Sequence, residues 1–123
     1  MERVSGIGGV FFRSKDPKAL AQWYQAHLGI NLAPTDMEMQ PWVSEEGVTV
    51  FAPFADDTDY FPSDRMFMLN FRVEDLDAML AQLRAAGIEV TREEAMDGIG
   101  RFARIHDPEG NPLELWEPLS HGA

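Results

Sequence analysis

The stretch Asp107-Pro108-Glu109-Gly110-Asn111-Pro112-Leu113-Glu114-Leu115-Trp116-Glu117-Pro118 decides how the chain folds. Its first five residues set a proline and a glycine among polar side chains, the chemistry of a tight turn. Leu113-Glu114-Leu115-Trp116 after the turn, and Arg101-Phe102-Ala103-Arg104-Ile105-His106 before it, carry strand-forming residues. Together they predict a hairpin. Upstream, Met66 to Val73 reads as a strand. Asp75 follows as a helix N-cap, Leu76, Met79, Leu80 and Leu83 form an apolar stripe, and Gly87 ends the helix. Ile88-Glu89-Val90 reads as a short edge strand. The second half is therefore expected to run β-α-β-β-β.

The first half repeats the order. Val10-Phe11-Phe12-Arg13 reads as a strand, Asp16-Pro17 as a helix start, Leu20, Trp23, Tyr24 and Leu28 as its apolar face, and Gly29 as its C-cap. Gln40 to Val43 and Val48 to Phe51 flank Ser44-Glu45-Glu46-Gly47 as a second expected hairpin. Arg13 and Arg72 stand 59 residues apart, as do Asp16 and Asp75, while Gly29 and Gly87 stand 58 apart. The reading is α+β, with two tandem βαβββ modules in one domain: module 1 over about 5–54, an acidic linker over about 55–64, and module 2 over about 65–118.

Composition narrows the function. The chain has 123 residues, one domain's worth, with 10 basic against 21 acidic side chains and a formal charge of −11. Nucleic-acid binding, which needs a basic surface, is not expected. No apolar run approaches the roughly 18 residues of a membrane span, and the start lacks a signal-peptide core, so a cytoplasmic location is the default expectation. With no cysteine, disulfides and thiolate chemistry are excluded. Gly6-Ile7-Gly8-Gly9 precedes a strand, whereas phosphate loops follow one, and no protease, deaminase or serine-hydrolase motif is present.

The repeated module, with Asp-Pro-Glu-Gly-Asn-Pro-Leu-Glu-Leu-Trp-Glu-Pro near its end, resembles the vicinal oxygen chelate superfamily of glyoxalase I, bleomycin-resistance proteins, fosfomycin-resistance proteins and extradiol dioxygenases. The resemblance implies sheets curled into an open, barrel-like structure with a central cleft, commonly in a homodimer. It also implies one divalent metal, held by His, Gln or Glu on the first strand and a late strand of each module. The matching positions here are Gly9, Met68, a place within Thr49 to Phe51, and Glu114. Only Glu114 keeps a good ligand. Glycine offers no side chain and a thioether suits hard metals poorly, so no metal cofactor is expected.

Side chains two apart on a strand share a face, so Gly9, Phe11 and Arg13, with Met68, Asn70 and Arg72, are expected to line the cleft, joined by Glu114 and Trp116. In glyoxalase I-like relatives an arginine four residues after the first metal ligand contacts a substrate carboxylate. Arg13 matches that position and Arg72 is its repeat mate. Both guanidinium groups suit a carboxylate or phosphate ligand, or an ion pair with a carboxylate such as Glu114. Glu114 itself has three readings: counter-charge, general base, or remnant of the metal site. Phe11, Met68 and Trp116 suit a planar ligand or the core. His27 suits a helix C-terminus, His121 sits in the tail, and strand parity leaves open whether His106 faces the cleft.

Three functions follow. The first is a metal-free small-molecule-binding protein of the bleomycin-resistance type. The second is a metal-dependent lyase, isomerase or dioxygenase with a rewired ligand set drawn from Glu114, His106 and Glu45 or Glu46. The third is a metal-free enzyme with Glu114 as base.

Overall fold

The computed structural model describes residues 1–119; His121 lies outside them. Helix α1 spans Pro17–Leu28, strand β1 Leu69–Arg72, helix α2 Leu76–Ala85, and strands β2, β3 and β4 span Arg92–Met96, Gly100–His106 and Pro112–Pro118. The class is α+β as expected. The second half forms β1-α2-β2-β3-β4, the anticipated module.

Both helices begin and end where side-chain chemistry dictates. Asp16 accepts from the Ala19 amide at 3.1 Å and Asp75 from the Ala78 amide at 3.0 Å, each satisfying a free N–H of the first turn. Gly29 closes α1 in the left-handed conformation. A second tether holds α2, whose Leu76 amide donates to Glu117 of β4 at 2.9 Å.

The sheet is open and mixed, in the order β1-β4-β3-β2. β1 runs parallel to β4, with Asn70 opposite Glu114; β3 and β4 run antiparallel, with Arg104 opposite Glu114 and Phe102 opposite Trp116. Leu113, Leu115, Ala103 and Ile105 point to one face and join Leu20, Tyr24, Leu76, Leu80 and Leu83 in a single core. Both helices therefore cover the same face. The other face carries Asn70, Arg72, Arg92, Glu94, Phe102, Arg104, Glu114 and Trp116, and no helix among the described residues covers it.

Two strand expectations are corrected. The edge strand lies at Arg92–Met96, not Ile88 to Val90, because Ile88 and Val90 pack against the core and the ladder to β3 opens only after Thr91, whose amide donates to the Arg104 carbonyl at 2.9 Å. In the first half α1 forms, but Val10 to Arg13, Gln40 to Val43 and Val48 to Phe51 make no ladder among the described residues. A two-stranded hairpin is marginal without a third strand or a covering helix. The second half has both; in the first half, α1 lies instead on the sheet of the second. Phe11, Val43, Val50 and Phe51 consequently stay exposed.

The Asp107 to Asn111 turn joins the halves. Asp107, 5% exposed, accepts from the Glu109 amide, the Asn111 amide and side chain, and the Tyr24 hydroxyl of α1 at 2.7 to 3.0 Å. Glu109 accepts from Ser14 Oγ and the amides of Lys15 and Asp16, just ahead of α1. The turn thus grips both the start and the buried face of that helix.

Candidate functional site

On the open face Glu114 is the centre. Only 7% exposed, its carboxylate accepts from Asn70 Nδ2 at 2.8 Å and from the Tyr60 hydroxyl. Tyr60 comes from the segment expected to be a linker. Its ring stacks on Phe54, with centroids 5.7 Å apart and planes 12° apart. The guanidinium carbons of Arg92 and Arg104 each lie 5.2 Å from its centroid. Burial raises the Tyr60 pKa, the hydrogen bond to Glu114 raises it further, and the two arginines oppose the rise. The phenol stays a neutral donor across the physiological range.

Arg104 is the unusual member. It is 9% exposed, donates through Nη2 to the Tyr60 carbonyl at 2.9 Å, and keeps a buried Nε without a partner. It makes no ion pair among the described residues. Arg92, by contrast, donates to Glu94 at 2.6 Å. A buried guanidinium with an unused donor and no carboxylate against it is costly unless something else supplies an acceptor. Phe102 and Trp116 continue the face as a parallel stack, centroids 6.0 Å apart, with Trp116 Nε1 donating to the Ile99 carbonyl at 3.0 Å.

Of the residues singled out by sequence, Glu114 and Asn70 meet as expected, and Trp116 lies on the same face. Arg72 also lies there, but its guanidinium donates to the carbonyls of Glu45, at 2.7 Å, and Val48, stitching the first half to β1. Phe11 and Arg13 are exposed and share no hydrogen bond with this cluster. Met68 precedes β1 and is half-buried. His106 has the strand parity of Arg104, which answers the question of its face, yet it is exposed at the sheet end. Tyr60, Arg92 and Arg104 are the members that sequence reasoning missed. Arg104 had a signal: a five-residue turn between equal strands places 104 across from 114. Tyr60 had none.

A divalent metal of the kind the fold family implies needs several convergent ligand side chains. No three His, Asp or Glu side chains converge among the described residues, and both Glu114 oxygens already accept hydrogen bonds. A separate cavity of about 40 Å³, lined mainly by Phe12, Tyr24, Phe67, Leu69 and Leu113 with Arg65 and Asn111 beside them, lies on the helix side and is too small for an organic ligand.

The domain is α+β, a helix-backed open sheet with a carboxylate, an amide and a buried arginine on its free face, and the family match places it in the vicinal oxygen chelate superfamily. The chain belongs to the glyoxalase-like domain family, whose model matches residues 9–116. Among solved structures it is similar to TnmS3, an antibiotic-binding protein from Streptomyces sp. CB03234, at 24% identity over 97% of this chain and 100% of that one, with a TM-score of 0.64. It is also similar to lactoylglutathione lyase from Agrobacterium tumefaciens, at 20% identity over 94% and 96% of the two chains, TM-score 0.63. A glyoxylase/bleomycin resistance protein/dioxygenase domain from Frankia sp. EAN1pec matches at 18% identity over 95% and 100%, TM-score 0.60. No curated protein matches the sequence significantly. No helix among the described residues is long and apolar enough to cross a membrane.

Proposed function

We propose that the chain is a small-molecule-binding protein that holds an organic ligand on the open face of its sheet without a resident metal ion. The observation that carries this reading is Arg104, a buried guanidinium with an unpartnered Nε, 5.2 Å from the Tyr60 ring and opposite Glu114 in the β3–β4 register. Such an arrangement recognises a ligand with an acceptor oxygen, a carboxylate or phosphate being the best match. TnmS3 binds an antibiotic on a similar fold, in keeping with this reading, while the weight rests on the residues. In this reading Arg104, not Arg13, supplies the anion contact, and Glu114 is a hydrogen-bond acceptor.

The protein works in the cytoplasm as a homodimer, a second copy covering the apolar first-half segments around Phe11 and Phe51. The test of function is calorimetric titration of wild type and Arg104→Gln with the carboxylates and phosphates that raise its melting temperature. Loss of one charged hydrogen bond weakens binding about tenfold or more. Equal affinity for the two proteins overturns the assignment. After reloading with nickel, zinc, manganese and ferrous iron, the chain retains far less than one metal per chain; about one equivalent contradicts the metal-free reading.

A further inference from the structure

Three strands each bring one group to Tyr60, Arg92 from β2, Arg104 from β3 and Glu114 from β4, and Asn70 of β1 holds the other oxygen of Glu114. The receptor is thus built on hydrogen-bonded sheet. Its occupant is a side chain of a segment without helix or strand, shaped by local turn contacts such as Thr58 N–H to the Ala55 carbonyl and Arg65 N–H to the Pro62 carbonyl. At one end of this residue the phenol hydroxyl meets Glu114; at the other its own carbonyl meets Arg104. Between those two contacts lie the ring and three carbons, Cβ, Cα and C.

We propose that Tyr60 is a resident stand-in for the ligand, and that the open face takes a 4-hydroxyaryl compound carrying a carboxylate or carbonyl oxygen about three carbons from the ring. This inference rests on the small-molecule reading above and names its ligand class. The ligand's hydroxyl replaces that of Tyr60 on Glu114, its ring takes the place beside the two guanidinium groups, and its oxygen engages Arg104. Arg104 can then use Nε, the donor that Tyr60 leaves unsatisfied. The segment over 55–64 moves aside on binding. A site occupied by its own chain binds with an apparent affinity reduced by the fraction of time it is closed, so removing Tyr60 strengthens binding.

The test uses 3-(4-hydroxyphenyl)propanoate, which has this ring and carbon count, and 3-phenylpropanoate, which lacks the hydroxyl. Calorimetry is run on wild type and Tyr60→Ala. The hydroxylated probe binds Tyr60→Ala about tenfold tighter than wild type, and about tenfold tighter than 3-phenylpropanoate binds the same variant, because a site built for a hydroxyl rejects the analogue without one. Should both probes bind Tyr60→Ala equally, the hydroxyaryl assignment is overturned while small-molecule binding stands. Should a Tyr60→Ala chain with wild-type amide spectra bind neither, the hydroxyaryl assignment is overturned, and the titration of wild type against Arg104→Gln decides the small-molecule reading separately. If Tyr60→Ala does not fold, Tyr60→Phe decides: a ring without its hydroxyl anchor competes less well, so the hydroxylated probe binds this variant several-fold tighter than wild type, and unchanged affinity overturns the inference.

Discussion

Asp107 shows how much one side chain can organise. Its carboxylate is buried, and four donors satisfy it, one of them the Tyr24 hydroxyl from the other half of the sequence. Burial raises the Tyr24 pKa, and the bond to Asp107 raises it further, so the phenol donates at every working pH. Tyr24→Phe removes one of the four bonds, while Asn111 Nδ2 still satisfies Asp107 Oδ2. Urea denaturation is expected to show a loss of about 1–2 kcal/mol with an unchanged m-value. Glu109 acts beside it through charge. The Lys15 amide, the Ser14 hydroxyl and the Asp16 amide hold its pKa below the ordinary 4.5. A carboxylate lowered by folding stabilises the native state above its unfolded pKa, and that contribution fades as pH falls through the folded value. The melting-temperature advantage of wild type over Glu109→Gln is therefore full at pH 6, begins to shrink near pH 4.5, and vanishes in stronger acid.

Among the elements, the β3–β4 hairpin positions the site, and Gly100 sets its close approach. Its φ is +133°, and an added Cβ would run into the Glu117 carbonyl and lie 3.0 Å from Trp116 Nε1. Gly98 also has positive φ, +78°, but a Cβ there meets open space. Gly100→Ala is expected to cost roughly 3 kcal/mol and to disturb the Phe102–Trp116 stack, whereas Gly98→Ala costs roughly 1 kcal/mol. Urea titration of the two variants checks the contrast, and near-ultraviolet circular dichroism follows the stack. Much of this was legible in the sequence, because caps and turns are local chemistry. Asp16, Gly29, Asp75 and the Asp107 to Asn111 turn all do what their residue types require. Strand pairing is not local. The first-half segments have strand-forming residues as good as those of β1, yet no covering layer, so propensity alone misplaced them. Alternation put Asn70 and Glu114 on one face correctly. It could not bring in Tyr60, whose place depends on a connection of irregular path.

For the whole molecule, the fold separates two tasks. The helices and the Asp107 turn close one face of the sheet into a core, leaving the other face free to carry polar groups that a core could not tolerate. A net charge of −11 surrounds a face that holds Arg72, Arg92 and Arg104. Long-range charge steers approach, whereas the local guanidinium groups decide what stays, so an oxygen-bearing ligand suits the site despite the acidic surface. The most direct measurement is the side-chain Nε–H resonance of Arg104 in isotope-labelled wild-type protein, titrated with the tightest ligand found by calorimetry. A saturable shift of that resonance, together with the amides of Tyr60, Asn70 and Glu114, is the predicted result. Shifts confined to the helix side, around Phe12, Tyr24 and Leu113, with the Arg104 signal unmoved, would contradict a ligand site on the open face.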